Sequence, residues 1–97
     1  MPNSLIGANS YVGNVSRSEQ RVLHALAQGA SIRVEKDDKG KIAAVICVTR
    51  EGWVLSDCTL ATFRSLRRRR MIGSHMGGPY RITKAGLIAV RGQPDNR

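Results

Sequence analysis

The strongest constraint on the fold is a short turn cluster, Asp37-Asp38-Lys39-Gly40, set between two β-branched runs. Ser31–Lys36 alternates around Ile32 and Val34, and Lys41–Thr49 carries Ile42, Val45, Ile46 and Val48. Asp and Gly accept the backbone angles of a tight reversal, and β-branched residues suit a pleated, half-buried surface. The segment therefore predicts one long β-hairpin. Arg50-Glu51-Gly52 breaks its second strand.

Helical patterns flank this hairpin. Ser16 and Glu19 have the spacing of a capping box, in which each side chain satisfies a free amide of the first turn. Val22, Leu23, Leu26 and Ala27 follow at helical spacing, and Gly29 is a stop signal, so a helix is expected from about Arg17 to Gln28. After Trp53-Val54-Leu55, Ser56 or Asp57 is placed to cap a second helix over about Cys58 to Arg69. Leu60, Phe63 and Leu66 form its apolar stripe, with Arg64, Ser65, Arg68 and Arg69 on the other side. Met71-Ile72 begins a short strand, Ser74–Pro79 is a glycine-containing loop, and Tyr80-Arg81-Ile82 is the return. Thr83 caps a last helix to about Arg91, with Ala85, Leu87, Ile88 and Val90 as its apolar positions. Gly86 inside that helix is expected to cost about 1 kcal/mol relative to Ala.

The implied class is α+β and winged-helix-like, with about three helices, one long hairpin and one short one. At 97 residues the chain holds one domain. Residues 1–14 are rich in Asn, Gly and Ser without period and are expected to form a disordered extension, leaving 15–97 as a single winged-helix-like domain. The tail 92–97 is expected to fray.

Charge points to the partner class. Residues 1–49 carry six Lys/Arg against four Asp/Glu, a net +2; residues 50–97 carry ten against three, a net +7. A basic field concentrated in one half suits a polyanion or an acidic protein surface. A helix of diameter about 10–12 Å fits the major groove of duplex DNA, and outward arginines reach phosphates or a guanine edge. The order helix, glycine-tipped hairpin, helix over Thr59–Val90 matches a recognition helix followed by a wing. The candidate binding residues are Arg64, Arg67, Arg68, Arg69 and Arg70 of the second helix and its end, with Arg81 on the wing and Lys84 after it. Arg64 and Arg68 are the strongest candidates, because Arg67 and Arg70 project nearer the apolar stripe and can snorkel along it.

No catalytic constellation is visible. There are no paired carboxylates, no phosphate-cradling glycine loop and no Ser/His/Asp set, so an enzyme is not expected. No cofactor is implied. Cys47 and Cys58 have no metal-ligand spacing with His24 or His75 and are expected to be free thiols in a reducing, cytoplasmic setting. Cys58, beside Asp57, reads as a buried filler rather than a nucleophile. Trp53 is expected to anchor the core or a satellite cluster, Tyr80 to pack, and His24, among apolar neighbours, to be structural. No apolar run approaches the roughly 18 residues of a membrane span, and the first fifteen residues lack the layout of a signal peptide.

Several uncommon strings occur in order: Ser16-Arg17-Ser18-Glu19-Gln20-Arg21, Arg50-Glu51-Gly52, Leu55-Ser56-Asp57-Cys58-Thr59-Leu60-Ala61, Pro79-Tyr80-Arg81-Ile82 and Gln93-Pro94-Asp95-Asn96-Arg97. In these the chain, from about Val15 onward, resembles the bacterial YjhX toxin family. The resemblance implies a toxin–antitoxin role in which the protein binds and inhibits DNA topoisomerase I, impairing DNA relaxation and replication, and is neutralised by an antitoxin protein. It carries no functional residue over to this chain. The alternative from the residues alone is a winged-helix transcriptional regulator bound to duplex DNA.

Overall fold

The computed structural model describes residues 15–91. The expectations for residues 1–14 and 92–97 lie outside them. Three helices, α1 (Arg17–Ala27), α2 (Leu60–Arg68) and α3 (Lys84–Arg91), accompany four strands, β1 (Ser31–Lys36), β2 (Ile42–Val48), β3 (Ile72–Ser74) and β4 (Tyr80–Ile82). The α+β class and both hairpins agree with the sequence reading.

The hairpins join into one antiparallel sheet of order β2-β1-β4-β3. The first runs in register from Ser31 opposite Val48 to Glu35 opposite Ala44, and a bulge at Glu35/Lys36 then brings Lys36 opposite Ile42. The second pairs Ile72 with Ile82 and Ser74 with Tyr80. A single pairing, Ile32 with Tyr80, connects the two hairpins.

Strand alternation gives the sheet two unlike faces. Ile32, Cys47 and Ile72 meet Val22, Leu23 and Leu26 of α1, Phe63 and Leu66 of α2, and Ala89 and Val90 of α3 in one core. Fully burying a side chain such as Phe63, Leu23 or Ile32 contributes about 1.5–3 kcal/mol. The intervening residues Arg33, Ile46 and Arg81 are exposed on the opposite face.

Four expectations are corrected. Helix α2 starts later than Cys58, because Cys58 turns into the core; Thr59 becomes the cap, its hydroxyl accepting the Thr62 amide at 3.2 Å. Trp53 is not a core anchor. Its amide and carbonyl are held by Thr49 at 3.0 and 2.7 Å, Val54 bridges to Val48, and the indole stands 72% exposed at the sheet margin. His24 is exposed on the last turn of α1. In α3 the inward positions are Gly86, Ala89 and Val90, while Ile88 faces solvent.

Gly86 changes meaning as well. A Cβ there would collide with the Met71 carbonyl oxygen and stand 2.6 Å from Ile82 Cγ1. The missing side chain lets α3 lie directly on the β3–β4 hairpin, so its helix-propensity penalty is offset by packing that Ala cannot reach. Thr83 secures the same junction. Its amide donates to Met71 O at 3.0 Å, its hydroxyl donates to Arg70 O at 2.7 Å, and the same hydroxyl accepts the Gly86 amide at 3.2 Å.

Candidate functional site

Helix α2 supplies most of the candidate residues, and its neighbours sort them. One side faces α1 through Glu19, the one buried charged residue among the described residues. Glu19 Oε1 accepts the Ser16 amide at 2.8 Å while the Ser16 hydroxyl accepts the Glu19 amide at 3.1 Å, which completes the capping box read from the sequence. The same carboxylate accepts the Ser65 hydroxyl and, at 3.3 Å, Arg69 Nη1. Burial raises the Glu19 pKa, but the Ser65 hydroxyl, the Ser16 amide and the Arg69 guanidinium outweigh burial and hold it below its ordinary value of 4.5. Arg69 and Ser65 therefore do not face outward as expected. They clamp α2 onto α1.

The next side of α2 opens onto a cleft of about 440 Å³ between the helix and the tip of the first hairpin. Arg64 and Arg67 line it from α2, Lys36 and Lys41 from the hairpin, and Tyr80 from β4. Arg64, Arg67, Lys36 and Lys41 are exposed, and none makes an ion pair among the described residues. Phe63 lies fully buried beneath, with its ring 4.9 Å from that of Tyr80 and perpendicular to it at 88°. Tyr80 thus packs, as expected, while remaining only partly buried where it lines the cleft. Lys36 and Lys41 were not among the candidates. Their signal was present as lysines bracketing the Asp-Asp-Lys-Gly turn, but only the tertiary fold sets them opposite Arg64 and Arg67.

The remaining candidates disperse. Arg68 is exposed at the end of α2. Arg70 follows it in the left-handed region, φ 60°. The Arg70 amide donates to Arg67 O and the Met71 amide to Leu66 O, both at 3.0 Å, the paired bonds of a Schellman ending. Lys84 opens α3 beside Thr83, which bonds Arg70 O. Arg81 sits on the far face of the sheet, opposite in sense to Tyr80 and Ile82. The structure brings together Arg64 and Arg67, places Arg70 near Lys84, and separates Arg81 from both.

Cys47 and Cys58 are free and buried. Their thiols are in hydrogen-bonding contact, and that contact, with burial, pushes the Cys58 thiol far above the ordinary cysteine range. The neutral thiol is a weak nucleophile. Among the described residues no group of His, Cys, Asp and Glu is placed to hold a metal ion, and no helix is long and apolar enough to cross a membrane.

The fold and its cationic cleft define a small, basic α+β protein that exposes Arg64, Arg67, Lys36 and Lys41 around one concavity. Its family is settled by comparison: the chain belongs to the YjhX toxin family, described as "Putative toxin of bacterial toxin-antitoxin pair", which it matches over residues 13–97. It is 69% identical over 84 residues to a UPF0386 protein of Parvibaculum lavamentivorans, covering 87% of this chain and 99% of that one. A UPF0386 protein of Rhodospirillum centenum is 62% identical and one of Caulobacter vibrioides 57%, again over 84 residues and 87% of this chain, with 98% and 92% of the relatives covered. No solved structure matches the chain.

Proposed function

We propose that this protein is the toxin of a toxin–antitoxin pair and acts in the cytoplasm by binding DNA topoisomerase I and blocking DNA relaxation. The observation that carries the reading is membership of the toxin family across residues 13–97; the choice of target follows what that resemblance implies. The unit that acts is the single domain of residues 15–97. It works by occupying a surface, without bond chemistry of its own. Its cations support such a role: Arg64, Arg67, Arg68, Arg70 and Lys84 are exposed and outside the two ion pairs of the described residues. A chain of net charge +9 attracts an acidic partner surface and speeds encounter with it. The neutralising antitoxin is expected to present acidic groups for the same reason.

The test is plasmid relaxation by purified topoisomerase I with and without excess competitor DNA. Inhibition at stoichiometric amounts that survives the competitor is the expected result. Unimpeded relaxation across a wide excess of the protein overturns the reading.

A second reading, a winged-helix-like regulator bound to duplex DNA, is favoured by the order α2-β3-β4-α3, a basic helix followed by a short hairpin. It requires a duplex gel shift whose affinity falls with salt at a log–log slope of about −0.9 for each phosphate contacted. A salt-independent shift excludes it.

A further inference from the structure

We propose that the cleft between α2 and the tip of the first hairpin is a binding site for a nucleoside phosphate, either a free nucleotide or an unpaired nucleotide of a strand. The proposal does not rest on the topoisomerase reading. Three observations converge on it.

The first is charge. Lys36 and Lys41 on one wall face Arg64 and Arg67 on the other, and no ion pair among the described residues engages any of the four. Four like charges around one concavity repel one another, and an anion between them removes that repulsion. The guanidinium fork matches the oxygens of a phosphate, and lysine ammonium groups add point charges.

The second is the aromatic surface. Tyr80 lines the cleft while partly buried against the core, and its ring is held by a perpendicular contact with the buried Phe63. A fixed, partly open ring is a platform for a base, which every nucleobase can use through its π-face. An acidic peptide would satisfy the cations and leave this ring unused.

The third is size. The cleft holds about 440 Å³, within the roughly 300–1,000 Å³ of small-ligand sites. A duplex cannot enter such a volume, whereas one nucleotide can. The hairpin wall is also held in shape: Asp37 Oδ1 accepts the Lys39 and Lys41 amides, each at 2.9 Å, which fixes the turn bearing Lys41.

The experiment is titration of the full-length protein, followed by amide and aromatic NMR shifts, with pyrophosphate, ADP, a short oligo-dT strand and a duplex of equal length. ADP and oligo-dT are expected to shift residues 36–42, Arg64, Arg67 and the Tyr80 ring, with pyrophosphate at least about fivefold weaker because it lacks the stacked base. A strand bound far more tightly than ADP identifies the strand as the source of the ligand; equal affinity per nucleotide identifies the free nucleotide. Both support the site. Lys41→Ala and Arg64→Ala should each weaken binding about tenfold, Arg68→Ala and Arg81→Ala less than about twofold. Tyr80→Phe should retain the preference over pyrophosphate and Tyr80→Leu lose it. Equal losses at Arg64 and Arg81, tighter binding of the duplex than of the single strand, or pyrophosphate as good as ADP overturns the proposal. So does the absence of shifts in the cleft. The arginine variants and Tyr80→Phe keep the test decisive if Tyr80→Leu does not fold.

Discussion

Helices α1 and α2 end in the same hydrogen-bonded motif but fill its left-handed position with very different residues. In α1 the Ala30 amide donates to Ala25 O and the Gly29 amide to Leu26 O, both at 3.0 Å, with Gly29 at φ 108°. In α2 the corresponding donors are Met71 and Arg70, and Arg70 sits at φ 60°. Glycine takes this conformation freely, whereas an L side chain pays about 1–2 kcal/mol. Strain of this kind points toward a role for the residue beyond stability. The end of α1 serves the fold, while the end of α2 keeps a cation in an unfavourable backbone state next to Lys84 and the exposed Arg68. Electrostatics recovers part of the cost, since a positive charge suits a helix C-terminus by about 0.3–1 kcal/mol.

Substitutions at three positions probe this contrast. The largest effect is expected at the link between the helices: Glu19→Ala removes half of the capping box of α1 and the carboxylate to which Ser65 and Arg69 of α2 donate. We expect a loss of about 2–3 kcal/mol in denaturant unfolding, below the full cost of breaking a buried pair because Arg69 is 23% exposed. The same residue sets a pH dependence. Its folded pKa is depressed, so its contribution is complete above the unfolded value of about 4.5 and is lost as pH falls through the lower folded value. Wild type should therefore lose stability on acidification below about pH 4.5, and Glu19→Gln should lose less over the same range.

Next, Gly29→Ala should destabilise by about 1–2 kcal/mol, because a side chain at φ 108° is strained whatever the space around it. The smallest effect is expected at the end of α2. Arg70→Gly relieves about 1–2 kcal/mol of strain, gives back about 0.4–1 through the freer unfolded chain and loses about 0.3–1 with the charge at the helix end, so thermal unfolding should change by less than about 0.5 kcal/mol. A loss as large as that of Gly29→Ala would break the comparison, since the arginine would then be needed for the fold itself.

What the sequence disclosed was local. Ser16 and Glu19 announced the start of α1, and Asp37-Asp38-Lys39-Gly40 the reversal between β1 and β2, because each works through atoms a few residues apart. What it hid depends on which element covers which. Arg69 looked like its neighbours until Glu19 of α1 was found against it. Gly86 looked like a flaw until Met71 and Ile82 filled the space where its Cβ would be. Trp53 looks like core because it is large and apolar, yet the chain turns between Thr49 and Trp53 and leaves the side chain exposed. The cleft is hidden for the same reason: its walls come from the first hairpin and from α2, far apart in the chain, and helical periodicity reports an arginine's direction but not the lysine it will face.

The single pairing of Ile32 with Tyr80 also governs the order in which the molecule is assembled. As the chain leaves the ribosome, α1 and the first hairpin emerge before the strand that will lie beside the other edge of β1. That edge remains open until β4 emerges, after the whole of α2 and β3. Loop closure over this span makes the last step of sheet formation slow relative to the hairpin itself. An unpaired strand edge is also a template for a second chain. Products truncated between Arg50 and Tyr80 should therefore carry a greater aggregation hazard at that edge than the finished protein, in which β4 lies beside it.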